Sequence, residues 1–131
     1  MKYFFLVCHK PLGSSLQKCV EFSIGESIEE IINIEVTPND SLAEIQDLIE
    51  KAWHKCGKPR EIFVLSDLKG ATPCNGLISW LRGKRILYRG VTGINLPMLV
   101  CAINHKNLSL DSLLKKVLEA KDKGIQSLNI Y

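Results

Sequence analysis

Short apolar runs alternate with amphipathic stretches along the whole chain. Tyr3-Phe4-Phe5-Leu6-Val7 and Glu61-Ile62-Phe63-Val64-Leu65 are nearly unbroken β-branched and aromatic runs. Such runs are the pattern of strands buried on both faces of a parallel sheet. Ile31–Val36 predicts a strand nearer a sheet edge, because polar positions alternate from Asn33 onward. Ile86-Leu87-Tyr88 predicts a fourth strand, with Gly90–Pro97 as its loop, and Ile125–Ile130 a fifth. Between these lie helical spacings. Leu12, Leu16, Cys19 and Val20 mark a helix to about Phe22. Leu42, Ile45, Leu48, Ile49, Ala52 and Trp53 mark a second, with Ser41 as cap, Glu44 completing a capping box, and Gly57 and Pro59 as its stop. Thr72 to about Leu81 is a third helix, with Thr72 as cap and Pro73 as its first residue. Pro97 to about Ile103 is a short fourth. Ser109 caps a last helix carrying Leu110, Leu113, Leu114, Val117 and Leu118, which Gly124 stops. Strands alternating with helices predict an α/β fold, a doubly wound, mainly parallel sheet with flanking helices.

Composition narrows the class. With 131 residues, 46% hydrophobic and 24% charged, one domain over residues 1–131 accounts for the chain. No apolar run approaches the ~18 to 20 residues of a membrane span, and the apolar start is too short for a secretory signal, so a cytoplasmic protein with no direct membrane insertion is expected. The net charge of +3 is small and evenly spread, which gives no footprint for nucleic acid. Cys8, Cys19, Cys56, Cys74 and Cys101 form an odd set without C-x-x-C spacing. They are read as reduced, mostly buried thiols, and neither a metal nor a cofactor is expected.

The chemistry concentrates in Leu65–Asn75, where an apolar strand ends in Asp67, turns at Gly70 and restarts as a helix. Amides at such a helix start can hold a phosphate, which marks Gly70, Ala71 and Thr72 as candidate phosphate-binding positions. The same corner is also that of an ordinary β-α turn whose Asp bonds locally. His9 stands at the exit of the first strand, as Asp67 does at the exit of the third. Strands one and three become neighbours at the switch point of a doubly wound sheet, so the two residues face one crevice. His54, at a polar helix end, and His105, in a connecting turn, read as surface residues. No G-x-S-x-G elbow or P-loop is present. A histidine, an oriented carboxylate and an anion site fit phosphoryl transfer through the imidazole. The carboxylate would fix the tautomer and stabilise the cationic ring.

Three segments carry a resemblance to a known family. They are Leu6-Val7-Cys8-His9, Ser66-Asp67-Leu68-Lys69-Gly70-Ala71-Thr72-Pro73-Cys74-Asn75 and Gly93-Ile94-Asn95-Leu96-Pro97-Met98-Leu99. In order and over nearly the whole length, the chain resembles the mannose/fructose-type enzyme IIA domains of the bacterial phosphoenolpyruvate-dependent sugar phosphotransferase system (PTS). The resemblance implies a phosphotransferase component in sugar transport, whose His9 accepts a phosphoryl group on Nε2 from the histidine-containing phosphocarrier protein HPr. A IIB component would then receive it. Asp67 would be the orienting carboxylate, with Asn75 and Asn95 in supporting loops. It further implies a homodimer that exchanges the C-terminal strand Ile125–Ile130. Departures from the family pattern are Lys10 after the histidine, where Gly is usual, Lys69 near the usual aromatic, and Ala71 near a second Gly. These bear on partner recognition. Two other readings stand beside transport: a regulatory phosphohistidine domain that signals sugar flux, and a small anion-binding module whose histidine is never phosphorylated.

Overall fold

The computed structural model describes residues 2–130. Nine elements follow in order: β1 (Tyr3–His9), α1 (Leu12–Ile24), β2 (Ile31–Val36), α2 (Leu42–Lys55), β3 (Glu61–Ser66), α3 (Thr72–Arg82), β4 (Leu87–Val91), α4 (Leu96–Asn104) and α5 (Leu110–Gly124). The sheet has four strands in the order β2-β1-β3-β4, and every pairing is parallel. β1 and β3 are therefore central. Their run-on hydrophobicity has its cause here, since alternate residues serve opposite faces. Phe4, Leu6, Phe63 and Leu65 pack with α1, α4 and α5, while Phe5, Val7, Ile62 and Val64 pack with α2 and α3. The half-polar β2 lies at an edge, as its alternation predicts.

The local signals translate where they are self-contained. Ser41 and Glu44 close the capping box of α2, and Ser109 accepts the Ser112 amide at the start of α5. Where neighbours decide, the structure differs from expectation. α3 is capped by Ala71, not Thr72: Ala71 is extended (φ −82°, ψ 168°) and no side-chain oxygen caps the helix. Its carbonyl accepts the Asn75 amide, so Thr72 is the first helical residue and Pro73 the second. β4 runs on through Arg89 to Gly90 and Val91, two residues that read as the start of the loop. Pairing with β3 carries it there, and a Cβ at position 90 would lie 2.2 Å from Val64, so only glycine lets the strands approach. Gly124 ends inside α5, and Ile125 follows as its cap.

The expected fifth strand is not part of this chain's own sheet. Residues 125–130 form no strand, and Ile125, Leu128 and Ile130 are exposed by 68%, 97% and 92%. An extended segment needs a strand edge to bond to, and within its own chain this one is not brought against any. The thiols also depart from expectation. All five are free, but only Cys8 and Cys74 are buried, Cys56 and Cys101 are half-buried, and Cys19 is exposed. Helix-face placement decides this, which a count of cysteines does not contain. Among the described residues, no helix is long and apolar enough to cross a membrane.

Candidate functional site

The crevice opens where β1 and β3 part. β1 stays paired with β2 as far as His9 and Val36, but with β3 only as far as Val7 and Ser66. Beyond that rung the chain leaves β1 for α1 on one face and leaves β3 for α3 on the other. Two residues past Val7 and one past Ser66, His9 and Asp67 close the gap with their side chains. His9 Nδ1 lies 2.7 Å from Asp67 Oδ2, and the backbone N–H of His9 donates to the same oxygen at 2.9 Å. The Leu68 N–H donates to Asp67 Oδ1 at 2.9 Å. The carboxylate thus replaces a missing rung of the ladder and grips the ring and the backbone of His9 together.

The surroundings fix the charges. Burial pushes the Asp67 carboxyl upward, but the His9 amide, the His9 ring and the Leu68 amide outweigh it and hold it below the ordinary aspartate value. Asp67 is anionic at neutral pH. A carboxylate can only accept, so the 2.7 Å contact places the proton of a neutral ring on Nδ1. Nε2 then carries a lone pair, and among the described residues it has no hydrogen-bond partner. The His9 side chain is 48% exposed while that of Asp67 is 9% exposed, so the ring is reachable and its anchor is sheltered. The neighbouring Cys8 thiol is pushed up to about 12 by burial first, then by Asp67 and Glu35. It stays neutral and adds no second anion.

The other expected residues divide. Gly70 turns with φ +82°, Asn75 Nδ2 donates to the Gly70 carbonyl at 3.1 Å, and together they set the entry to α3. Ala71 and Thr72 stand at that helix start, which no side chain caps, and the Ala71 amide donates to the Leu68 carbonyl at 3.2 Å, so it is not free for a phosphate, contrary to what the sequence predicts. Asn95 has a different duty. It is the N-cap of α4, accepting the Met98 amide at 3.0 Å, and makes no bond to His9 or Asp67. Lys10 and Lys69 are both exposed, and neither is in an ion pair among the described residues. The two remaining histidines lie elsewhere. His54 is exposed and meets Glu50 at 3.1 Å. His105 is half-buried rather than on the surface, because its ring turns back to the Cys101 carbonyl at the end of α4.

Ser66 is the residue the sequence reading passed over. It is 1% exposed, its hydroxyl donates to the Val7 carbonyl at 2.8 Å, and its own carbonyl accepts the Ile94 amide at 3.1 Å. The available signal was a hydroxyl residue closing an otherwise apolar central strand. Among the described residues no group of three or more His, Cys, Asp or Glu side chains could hold a metal ion.

The chain and its fold are similar to known proteins. The EIIA-man family model, described as PTS system fructose IIA component, matches residues 3–118. The chain is 29% identical over 125 residues to the PTS system sorbose-specific EIIA component of Lacticaseibacillus casei, covering 95% of this chain and 88% of that protein. Its fold is similar to that of phosphotransferase system component EIIA from Streptococcus agalactiae, with a TM-score of 0.86, 23% identity and 97% of each chain covered. The mannose/sorbose specific IIA subunit from Enterococcus faecalis is equally similar, with a TM-score of 0.86, 22% identity and coverage of 100% of this chain and 98% of that one.

Proposed function

The chain belongs to the mannose/fructose-type enzyme IIA family of the sugar phosphotransferase system, and from that premise we propose that His9 is its phosphoryl carrier. The observation that carries this is the single-sided grip of Asp67 on Nδ1, which leaves Nε2 as the nucleophile. The Nε2 lone pair attacks the phosphorus held by the phosphocarrier protein HPr. The new N–P bond forms as the donor's P–N bond breaks, and that electron pair returns to the donor nitrogen. Nδ1 keeps its proton throughout, so the phosphorylated ring gains positive charge that Asp67 offsets. The amides of Gly70 and Thr72 and the ammonium groups of Lys10 and Lys69 are the groups offered to the phosphoryl oxygens, since the Ala71 amide already donates to the Leu68 carbonyl. The reaction reverses onto a IIB component in the cytoplasm. Incubation with phosphoenolpyruvate, enzyme I and HPr, followed by addition of a IIB domain, tests this: label should appear on this chain and then move to IIB. Label that stays on the chain favours the regulatory reading, and no label excludes both.

A homodimer belongs to the same proposal. The outer edge of β4 is unpaired in the single chain, and a groove of about 260 Å³ beside it is lined by Val64, Leu77, Ile78, Leu81 and Tyr88. Residues 125–130 of a second copy have the length and the apolar positions to cover it, which would protect two hazards at once: an open edge and an exposed apolar tail. Sedimentation of the intact protein should give a dimer at micromolar concentration. Deletion after Gly124 should give monomers or aggregates. An intact protein that sediments as a monomer overturns the exchange.

A further inference from the structure

We propose that Ser66 is a positioning residue for His9, acting through the last rung between β1 and β3. The inference needs the switch-point geometry and the Asp67 grip, and only its rate readout rests on the phosphoryl-carrier reading. Ser66 is the one fully buried polar side chain among the described residues, and it stands at the final paired position, opposite Val7. Here the two central strands begin to separate toward helices on opposite faces, so packing of α1 and α3 pulls their exits apart. Ser66 opposes that pull with its hydroxyl, which bonds the Val7 carbonyl across the gap, while its carbonyl accepts the Ile94 amide and anchors the end of β3 to the β4–α4 connection on its other side. The next residue along β3 is Asp67, and the second along β1 from Val7 is His9. Any spreading of the rung would be carried to the 2.7 Å ring contact and the 2.9 Å amide contact on Asp67 Oδ2, because the other backbone support of this segment, pairing with Val36 and the Lys10 amide on the Val36 carbonyl, comes from β2 and not from β3.

A purely structural serine would change only stability when replaced. A positioning serine changes how tightly residue 9 is held. Ser66→Ala and Ser66→Cys remove or weaken the donor, and Ser66→Thr keeps it. In Ser66→Ala, solvent exchange of the His9 backbone amide and Nδ1 proton should quicken about tenfold by NMR, and kcat for phosphoryl acceptance should fall by about tenfold with KM for HPr unchanged, since misplacement acts on the reacting geometry. Ser66→Thr should restore both. If Ser66→Ala does not fold, Ser66→Cys is read in its place. Wild-type proton exchange in a folded donor-free variant, or losses in Ser66→Thr as large as those in Ser66→Ala, would overturn the inference. The proton readouts need no phosphoryl transfer. An unlabelled wild type therefore sinks the carrier reading and leaves this one to be judged by NMR.

Discussion

Replacing His9 with alanine is expected to reduce phosphoryl labelling to background while leaving the fold intact. The ring supplies the only Nε2 in the crevice, and the next candidate nucleophile, Cys8, is buried and held as a neutral thiol. The side chain is half exposed, so its removal opens no core cavity, and the residue 9 amide still donates to Asp67 Oδ2. A shift in Tm of no more than a few degrees is expected, in line with a surface substitution of about 0.5 kcal/mol. Intact mass after incubation with phosphoenolpyruvate, enzyme I and HPr reads the phosphoryl group, and its acid lability identifies the N–P bond. Undiminished acid-labile label on His9→Ala would place the phosphoryl group on another residue.

Asp67→Asn is expected to be the second severe lesion, and for a reason of proton placement as much as charge. Asp67 accepts three hydrogen bonds, two on Oδ2 from residue 9 and one on Oδ1 from the Leu68 amide. An amide of the same shape offers one oxygen and one NH2 group. If the oxygen serves His9, the NH2 faces the Leu68 N–H; if it serves Leu68, the NH2 faces Nδ1 and drives the proton to Nε2. The first loses a bond and the second removes the nucleophile. The corresponding loss where an Asp orients a catalytic His is about 10⁴, so a fall of roughly 10² to 10⁴ in transfer rate is expected in rapid-quench measurements. Nitrogen NMR of the ring should show the Nε2–H tautomer gaining population. A wild-type rate would remove Asp67 from the mechanism. The pH dependence carries the same sign. Because the folded Asp67 titrates below its ordinary value, its contribution to stability is complete above the ordinary aspartate range and disappears as pH falls through the lowered value. Asp67→Asn should lack that acid-side loss in denaturant titrations followed across pH.

The sequence by itself determined the features whose causes lie within a few residues. The Ser41–Glu44 box, the Ser109 cap and the buried runs of β1 and β3 need no distant partner to be recognised, because capping and burial periodicity are local. His9 and Asp67 were also legible, since alternation of strands and helices forces a switch point and both residues stand at its exits. The tertiary structure decided what depends on a neighbour. Arg89 and Gly90 became strand because β3 lay beside them and Gly90 could approach Val64. Asn95 went to the start of α4, and Ala71 displaced Thr72 as the cap of α3. Residues 125–130 remained unpaired because a strand signal states only a propensity, and no edge of the chain's own sheet is brought against them. Ser66 shows the difference most sharply: in the sequence it is one serine after an apolar run, and its meaning comes from the Val7 carbonyl 59 residues earlier in the chain.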